Sequence, residues 1–326
     1  MTSTKHFLAA LLLLTIGLYT TSCNTAPLPV TNNMVFADKL SAYRLFEGDM
    51  YTLQPAAGVE VLDIASALFT DYAEKQRLVK VPAGQTIVLA GNGLPVFPEG
   101  TILAKTFYYS KAGAGRREII ETRLLIFKDG QWNAATYRWD TTQTEANLLT
   151  DGAVVPVTFQ NAAGNKQTIA YQVPAGKDCA GCHRSGDALT PIGPTAQHLN
   201  ISVTRKGGSL NQLTYLMQQQ IVQQSAISSI TTLPDYHDTS LPIAARARAY
   251  LQMNCAHCHQ PGGAAGNASL NLLYTAQDGE TGIGYNKQHI LVRMSVMGAY
   301  HMPKTGTTVL DEEGVRLIKQ YITSLP

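Results

Sequence analysis

Two pentapeptides of the form Cys-x-x-Cys-His carry the clearest chemistry in this sequence: CAGCH starts at residue 179 and CAHCH at residue 255. Two thiols at this spacing can each form a thioether with one vinyl group of a single porphyrin, while the adjacent imidazole ligates its iron. The pattern therefore predicts two covalently attached c-type haems. The residues predicted to hold them are Cys179, Cys182, His183, Cys255, Cys258 and His259.

Paired cysteines also occur as zinc ligands and in disulfides, and both uses remain alternatives at this point. Neither alternative explains why a histidine directly follows each pair. The chain has five cysteines, and the fifth, Cys23, lies at the end of an apolar leader. No cysteine is therefore left over for a further disulfide.

The leader predicts export. An apolar run from Phe7 to Tyr19 follows Lys5 and is too short to span a bilayer, which is typical of a secretory signal peptide. The next residues, TTSC, resemble a bacterial lipoprotein cleavage box, which implies that Cys23 becomes the acylated first residue of the mature protein. Cleavage that releases an unlipidated protein is the alternative. Asn24 is not the aspartate that commonly retains lipoproteins at the inner membrane, so we expect the periplasmic side of the outer membrane or the cell surface.

The rest of the chain predicts no second membrane segment and no nucleic-acid-binding surface. No later run reaches the roughly 18 apolar residues that a spanning helix needs. The formal net charge is only +2, and the basic residues are scattered, so attraction to a polyanion is not expected. We expect redox proteins as partners, and the membrane only through the lipid anchor.

Residues 36–175 are predicted to form a β-rich antiparallel domain. Asp129-Gly130, between two alternating runs, predicts a two-residue hairpin turn. A short helix is predicted from Ile64 to Lys75. The predicted strands are Thr86 to Leu89, Thr101 to Tyr109, Ile119 to Phe127, Gln131 to Trp139, Val154 to Phe159 and Thr168 to Val173.

Part of this domain resembles a known family. The runs PEGTILAKTFYY and ETRLLIFKDGQWNAATYRW, with a Cys-x-x-Cys-His soon after, resemble β-type cytochrome c-prime and hydroxylamine-oxidising cytochromes that have a lysine-cross-linked haem. The resemblance implies that Lys105 lies where the cross-linking lysine would be sought, and that the first haem could be five-coordinate. The competing expectation, which we favour, is an ordinary solvated lysine on a strand.

The segment 176–235 carries the first pentapeptide and a predicted amphipathic helix. A short strand, ISVTR, precedes Gly207-Gly208, and the helix is expected from Ser209 to Ile227, with Ser209 as its cap. His198 is a candidate for the sixth ligand of the first haem, and an open coordination position is an alternative. Further candidates are His237, His289, Met217 and Met253.

Residues 236–326 are predicted to form a small helical domain. Ser240 is the expected cap of a helix that is entered through Pro242 and leads into the second pentapeptide. The last helix is expected to begin with the acidic run 311–313, which suits the helix dipole. Its predicted apolar stripe consists of Val315, Ile318, Tyr321, Ile322 and Leu325.

This last domain resembles class I cytochromes c. The resemblance is carried by Ala247 and Leu251 before the cysteines, by Tyr321 in the last helix and by Met302-Pro303 ahead of that helix. It implies Met302 as the sixth ligand of the second haem, where a thioether favours ferrous iron. The alternative is that Met302 only packs. Rival ligands are Met294, Met297 and His301.

Taken whole, with ARAYLQMNCAHCHQPGG as its most specific run, the chain resembles two-haem c-type cytochrome lipoproteins of Gram-negative bacteria. We predict an α+β multidomain protein in which a β-rich antiparallel domain precedes a mostly α-helical cytochrome c domain. The predicted parts are residues 1–23 (signal peptide and lipobox), 24–35 (linker), 36–175 (β-rich domain), 176–235 (first haem segment) and 236–326 (cytochrome c domain).

The resemblance implies single-electron transfer, and no catalytic residue is assigned. Two alternatives would use an open first haem: an enzyme, either a peroxidase or an oxidase of small nitrogen compounds, and a gas-binding module.

Replacing Cys23 tests the lipid anchor. In Cys23→Ser the acceptor thiol is absent, so we expect the protein to move from the membrane fraction to the soluble periplasmic fraction. Fractionation followed by immunoblotting measures this, and Ser22→Ala is the matched control. A wild-type protein that is already soluble would contradict the prediction.

Overall fold

A six-stranded antiparallel meander organises the first half of the chain. The computed structural model describes residues 34–111, 116–160 and 164–325, so the leader and Cys23 lie outside the described residues. The strands, in sequence and in spatial order, are β1 (Val59–Val61), β2 (Glu74–Lys80), β3 (Ile102–Lys111), β4 (Arg116–Lys128), β5 (Gln131–Trp139) and β6 (Ala146–Leu148). Each strand pairs with its neighbour in sequence, so the predicted antiparallel β-rich region is confirmed.

The hairpin turn between β4 and β5 is also confirmed. Asp129 and Gly130 both have positive φ angles, 54° and 71°, as the two central residues of such a turn require. The Glu99 carboxylate accepts the backbone N–H groups of both residues, at 2.9 and 2.7 Å. The turn residues and the distant Glu99 carboxylate therefore together fix the turn that sets the register of these two strands.

The two faces of the sheet are covered differently. One face packs against the segment that precedes β1, through Leu40, Leu45 and Leu53. The other face packs at one end against a hairpin of β7 (Ala153–Gln160) and β8 (Lys166–Val173). The hairpin leaves the rest of this second face free to line a cavity.

The predicted helix from Ile64 to Lys75 is wrong, because residues 62–73 form an extended loop, which we call the strap. Several of its polar groups bond to distant parts of the chain: Phe69 N–H donates to Asn254 Oδ1 at 2.8 Å. Asp71 has a positive φ, which ends any helix, and its carboxylate accepts the Thr308 N–H at 2.7 Å. The strap thereby joins the sheet to the helical part.

Two further predicted elements differ from the structure. Residues Thr86 to Leu89 form only two isolated bridges, in which Ile87 pairs with Val222 and Val88 with Val96, so the predicted strand is wrong. The predicted helix from Ser209 to Ile227 is much shorter.

The shorter helix has a different cap and a strand before it. Ser209 lies in the short strand Gly208–Asn211, whereas the helix spans Gln212–Gln218 and is capped by Asn211, whose Oδ1 accepts from Thr214 N–H at 3.2 Å. The chain then turns through Gln220 with positive φ, which stops the helix.

Short elements lead from the sheet to a helical C-terminal part. The short strands are β9 (Arg184–Ser185), β10 (Ala188–Leu189), β11 (Ser202–Arg205) and β12 (Gly208–Asn211). The helices are α1 (Ala180–His183), α2 (Ala196–Leu199), α3 (Gln212–Gln218), α4 (Ile243–Asn254), α5 (Ile283–Ser295) and α6 (Glu312–Ser324). This arrangement confirms the α+β class. Among the described residues, no helix is both long enough and apolar enough to cross a membrane.

The helices α4 and α6 cross closely at Gly314. A Cβ atom at this glycine would lie 2.2 Å from Tyr250 Oη, so only glycine fits. Tyr250 Oη donates to Asp311 Oδ2 at 2.9 Å, and Asp311 Oδ1 caps α6 by accepting from Gly314 N–H. The predicted cap Ser240 is wrong: its hydroxyl donates to Asp238 at 2.6 Å, and α4 begins directly after Pro242.

Gly314→Ala tests this crossing. We expect a loss of about 1–3 kcal/mol in the free energy of unfolding, because the new methyl group displaces the buried Tyr250 ring. The control is Gly284→Ala in α5, where nothing lies within 4 Å of the added carbon. The control should be neutral or gain up to about 1 kcal/mol from helix propensity. Urea unfolding measures both, and equal stabilities would contradict the close crossing.

Candidate functional site

The first Cys-x-x-Cys-His segment is positioned by the sheet. The chain leaves β8, passes through the 3-10 turn Gly176–Cys179 and forms the single helical turn α1. Gly176 lies against β5, where a Cβ would be 2.9 Å from the Ala134 carbonyl oxygen. The Asp178 carboxylate accepts the Ala175 N–H at 2.9 Å. The cysteines therefore project from a turn that is fixed to a rigid sheet.

A cavity of about 920 Å³ opens beside this turn, and Cys179, Cys182 and His183 line it. We call it the first cavity. Its size lies at the upper end of the roughly 300–1,000 Å³ typical of ligand and cofactor sites. The strap, the face of β2 to β4, the β7–β8 hairpin and the loop 303–307 form its walls. Apolar side chains in these walls include Leu62, Ile64, Leu68, Phe69, Leu103 and Leu125.

His183 is held in the orientation that an iron ligand needs. Its Nδ1 lies 2.9 Å from the Thr190 carbonyl oxygen, and donation to that oxygen leaves the Nε2 lone pair free. Burial, and then the charge of Lys105, lowers the pKa of His183 to about 4. The imidazole is therefore neutral near pH 7, as ligation requires. The cavity, the paired thiols and this histidine together fit a covalently attached haem.

Lys105 also lines the first cavity, so the expectation of a solvated strand lysine is wrong. It lies directly between Arg77 of β2 and Arg123 of β4 in the sheet register. Burial, and then the charges of Arg77 and Arg123, lowers the pKa of Lys105 well below its ordinary value. Arg123 donates to Glu121 at 2.9 Å, and Tyr171 donates to the same carboxylate at 2.7 Å.

The predicted ligand His198 does not line the first cavity. It is only 1% exposed, and its Nδ1 lies 2.8 Å from Thr195 Oγ1. Its Nε2 is buried without a hydrogen-bond partner among the described residues. His198 therefore remains a prediction. The other candidates, His237, His289, Met217 and Met253, are also not among the residues that line the cavity.

The second Cys-x-x-Cys-His segment continues from the end of α4. The N–H groups of Cys255 and Ala256 both donate to the Leu251 carbonyl at 2.9 Å, and the His259 N–H donates to the Cys255 carbonyl at 2.9 Å. The loop after the segment is tied back, since Leu272 N–H donates to the His259 carbonyl at 2.9 Å. Burial, and then the charge of His257, lowers the pKa of His259, which favours the neutral ligand form.

Met302 faces a small internal cavity of about 20 Å³, which Met294 and His301 also line. The Met302 N–H donates to the Arg293 carbonyl at 2.9 Å, which fixes the loop to α5. His259 is not among the residues that line this cavity. Met302 therefore remains a predicted ligand, with Met294 as a rival in the same place.

The other two rivals of Met302 have different surroundings. His301 Nδ1 lies 2.8 Å from the Val296 carbonyl oxygen, and its Nε2 lies 3.0 Å from Thr307 Oγ1, so both ring nitrogens are engaged. Met297 is 45% exposed. Neither side chain offers a free ligand atom inside the small cavity.

The two Cys-x-x-Cys-His segments touch each other. The Gly186 N–H donates to the Gly262 carbonyl at 3.0 Å, and Cys258 Sγ lies 3.8 Å from the Gly181 carbonyl oxygen. A hydrogen bond from the Cys258 thiol lowers the pKa of Cys182. The two segments are 76 residues apart in sequence, and neither the composition nor the periodicity of the chain indicates this contact.

Sequence reasoning missed two residues at this junction. His257 occupies a variable position of the second segment, yet it lines the first cavity and contributes to the lowered pKa of Cys182. Phe69 of the strap lines both cavities. A histidine inside the pentapeptide is a visible signal, whereas a lone phenylalanine in a loop gives none.

Neither alternative use of the cysteines has support in the described residues. The cysteines at 179, 182, 255 and 258 are free thiols. Among the ranges that the structure describes, no group of three or more His, Cys, Asp or Glu side chains is arranged to hold a metal ion.

Comparison with known proteins identifies the C-terminal part. Residues 242–322, about a quarter of the chain, match the family described as cytochrome C oxidase, cbb3-type, subunit III. This part is a cytochrome c domain, which implies covalently bound haem c, and the match spans the second Cys-x-x-Cys-His segment and Met302. No curated protein and no solved structure matches the chain.

Paired substitutions test the sulfur ligand. Met302→Leu should remove the far-red sulfur-to-iron band of the oxidised protein and lower one midpoint potential, because a thioether favours ferrous iron. Met294→Leu changes the neighbouring sulfur at nearly constant volume and should keep the band. Near-infrared absorption and a redox titration measure both effects. Loss of the band in Met294→Leu alone would assign the ligand to Met294 instead.

Proposed function

We propose that this chain is a two-haem c-type cytochrome that carries single electrons in the periplasm. The observation that carries the proposal is the contact between the two Cys-x-x-Cys-His segments, one beside a cofactor-sized cavity and one inside a cytochrome c domain. Each bound haem would supply an iron that alternates between the ferrous and ferric states.

The residues at the first site have separate tasks in this proposal. Cys179 and Cys182 would tether the cofactor, and His183 would hold its iron in an orientation set by Thr190. The strap and the sheet would enclose part of the group. A rigid site suits an electron carrier because little reorganisation accompanies a change of charge.

At the second site, Cys255, Cys258 and His259 would have the same tasks. The fixed loop that carries Met302 would supply the sixth ligand and raise the midpoint potential. The crossing with α6 fixes the position of α4, and α4 ends directly before Cys255. The crossing therefore also fixes the position of the second attachment segment. The end of α4 and the loop fixed to α5 would therefore hold the second haem.

The contact between the segments supports transfer inside the protein. The neighbouring sulfur atoms of Cys182 and Cys258 would each carry one thioether to its own haem. Electrons could then enter at one site and leave at the other without a long gap in the protein.

Export and lipidation belong to the same proposal. Cytochrome c domains are generally exported, which agrees with the leader predicted at residues 1–23. We propose attachment through Cys23 to the outer membrane, so that the carrier stays near partner proteins at that surface. The redox partners would exchange electrons with it by transient contact.

A haem enzyme or gas-binding module at the first site is the second candidate. The observation that favours it is the lining of the first cavity: among the described residues, no histidine or methionine outside the two Cys-x-x-Cys-His segments lines it. A first haem without a strong sixth ligand would bind carbon monoxide when reduced. A spectrum that the gas leaves unchanged excludes this candidate and supports two six-coordinate carriers.

Haem counting and redox titration test the proposal. We expect two added haem masses in the wild type and one in each of two double variants, Cys179→Ala/Cys182→Ala and Cys255→Ala/Cys258→Ala. Because the attachment sites touch, the charge of one iron should shift the potential of the other. The wild-type titration curve should therefore differ from the sum of the two single-haem curves.

Each variant serves as the other's control. One haem mass in the wild type would overturn the two-haem proposal. Two masses with a titration that equals the simple sum would keep the haem count but contradict the close approach.

A further inference from the structure

The first cavity contains a row of positive charge on its sheet wall that no motif in the sequence indicates. Arg77, Lys105 and Arg123 face one another directly across β2, β3 and β4, and all three line the cavity. We propose that Arg77 and Lys105 form a binding site for anionic oxygen atoms, the carboxylates of a cofactor or a free oxyanion held in the cavity.

Three of the five lysine and arginine side chains that line the cavity already have partners among the described residues. Of the basic side chains that line the cavity, Arg123 bonds to Glu121, Lys177 lies 3.6 Å from Asp151, and Lys304 donates to the Ala299 carbonyl. Their charges are therefore at least partly compensated.

Arg77 and Lys105 differ from these three cations. Among the described residues, neither side chain has a hydrogen bond or an ion pair. Asp63 attracts Arg77 electrostatically, but its carboxylate is bonded by Arg205 at 2.9 Å. Lys105 Nζ lies 6.0 Å from the Phe107 ring centroid, a weak contact for a buried charge. An unpaired charge is costly at this wall, and the lowered pKa of Lys105 reflects that cost. An anion bound between Arg77 and Lys105 would compensate both groups.

The position of the pair indicates the shape of the ligand. Neighbouring strands are about 4.8 Å apart, so Arg77 lies about 10 Å across the sheet from Arg123. The charges of Arg123 and Lys105 act on Cys179, Cys182 and His183. Arg77 has no such interaction with them and follows Lys105 in the register, so it is the member of the row farthest from the cysteines. A ligand that is tethered at Cys179 and has an apolar body would bring its far edge to Arg77.

This geometry matches a haem whose propionates lie opposite its thioether edge, and in this form the inference rests on the proposed function. A free oxyanion is the other source of the same chemistry. Arginine and lysine both bind carboxylates and oxyanions through charge-assisted hydrogen bonds.

The test uses the full-length holoprotein and single neutralised cations. Arg77→Gln and Lys105→Gln each remove one positive charge. Arg77→Lys keeps the positive charge at residue 77. The matched control is Arg138→Gln, an exposed arginine on β5 of the same sheet. Resonance Raman spectra report the propionate bending bands. Calorimetric titration with acetate and with inorganic phosphate reports free anion binding, and it needs no haem at the first site.

If the propionates occupy the site, their bands shift in both glutamine variants, Arg77→Lys largely restores them, and neither anion binds the wild type. If a free oxyanion occupies it, acetate or phosphate binds the wild type and binds about tenfold or more weakly to the glutamine variants, as the loss of one charged hydrogen bond predicts. Either result supports the proposal.

The proposal is overturned if both glutamine variants match Arg138→Gln in the Raman bands and the anion titrations, even if their midpoint potentials fall through the lost charge. Peptide mass analysis separates this result from a failure of the proposed function. A wild type without haem on Cys179 and Cys182 refutes the first haem, and the titrations then decide the anion site alone.

Discussion

The close approach of the two Cys-x-x-Cys-His segments is the constraint on which the rest of this structure depends. One segment hangs from the end of β8 and the other from the end of α4, so the sheet and the helices must be held in a fixed relation. The strap provides that relation through buried hydrogen bonds. Ser66 donates to the Pro234 carbonyl at 2.7 Å, and Asp71 binds the loop after Met302. These bonds keep the side chains of Cys182 and Cys258 close to each other.

The basic side chains on the cavity face of the sheet differ in whether a carboxylate compensates them. The buried Glu121, which is 0% exposed, compensates Arg123 and is held by Tyr171 of the β7–β8 hairpin. No equivalent carboxylate reaches Arg77 or Lys105 among the described residues, although both face the same cavity. Because unpaired buried charges are costly, the protein part alone is electrostatically incomplete at this wall, whereas the other face of the sheet is closed by apolar packing.

Local chemistry determined which elements could be predicted from sequence. The Asp129-Gly130 turn and the acidic start of α6 depend on neighbouring residues, and both were predicted correctly. The strap was predicted as a helix because its hydrogen-bond partners lie far away in sequence. The environment of Lys105 was missed for the same reason, since the walls around it come from four separate parts of the chain. The haem-binding pattern was visible at once, but its surroundings depend on tertiary contacts.

The two candidate sites also differ in how much room they have. The first cavity is large and bears unpaired cations, whereas the small cavity beside Met302 is closed by helices and by a loop tied to Arg293. Positive charge near an iron favours its reduced form, and so does a thioether ligand. The two proposed haems would thus reach raised potentials by different means, the first through the charges of the sheet and the second through its ligand. Such independent control allows the direction of electron flow between touching sites to be set by substitutions at one site only.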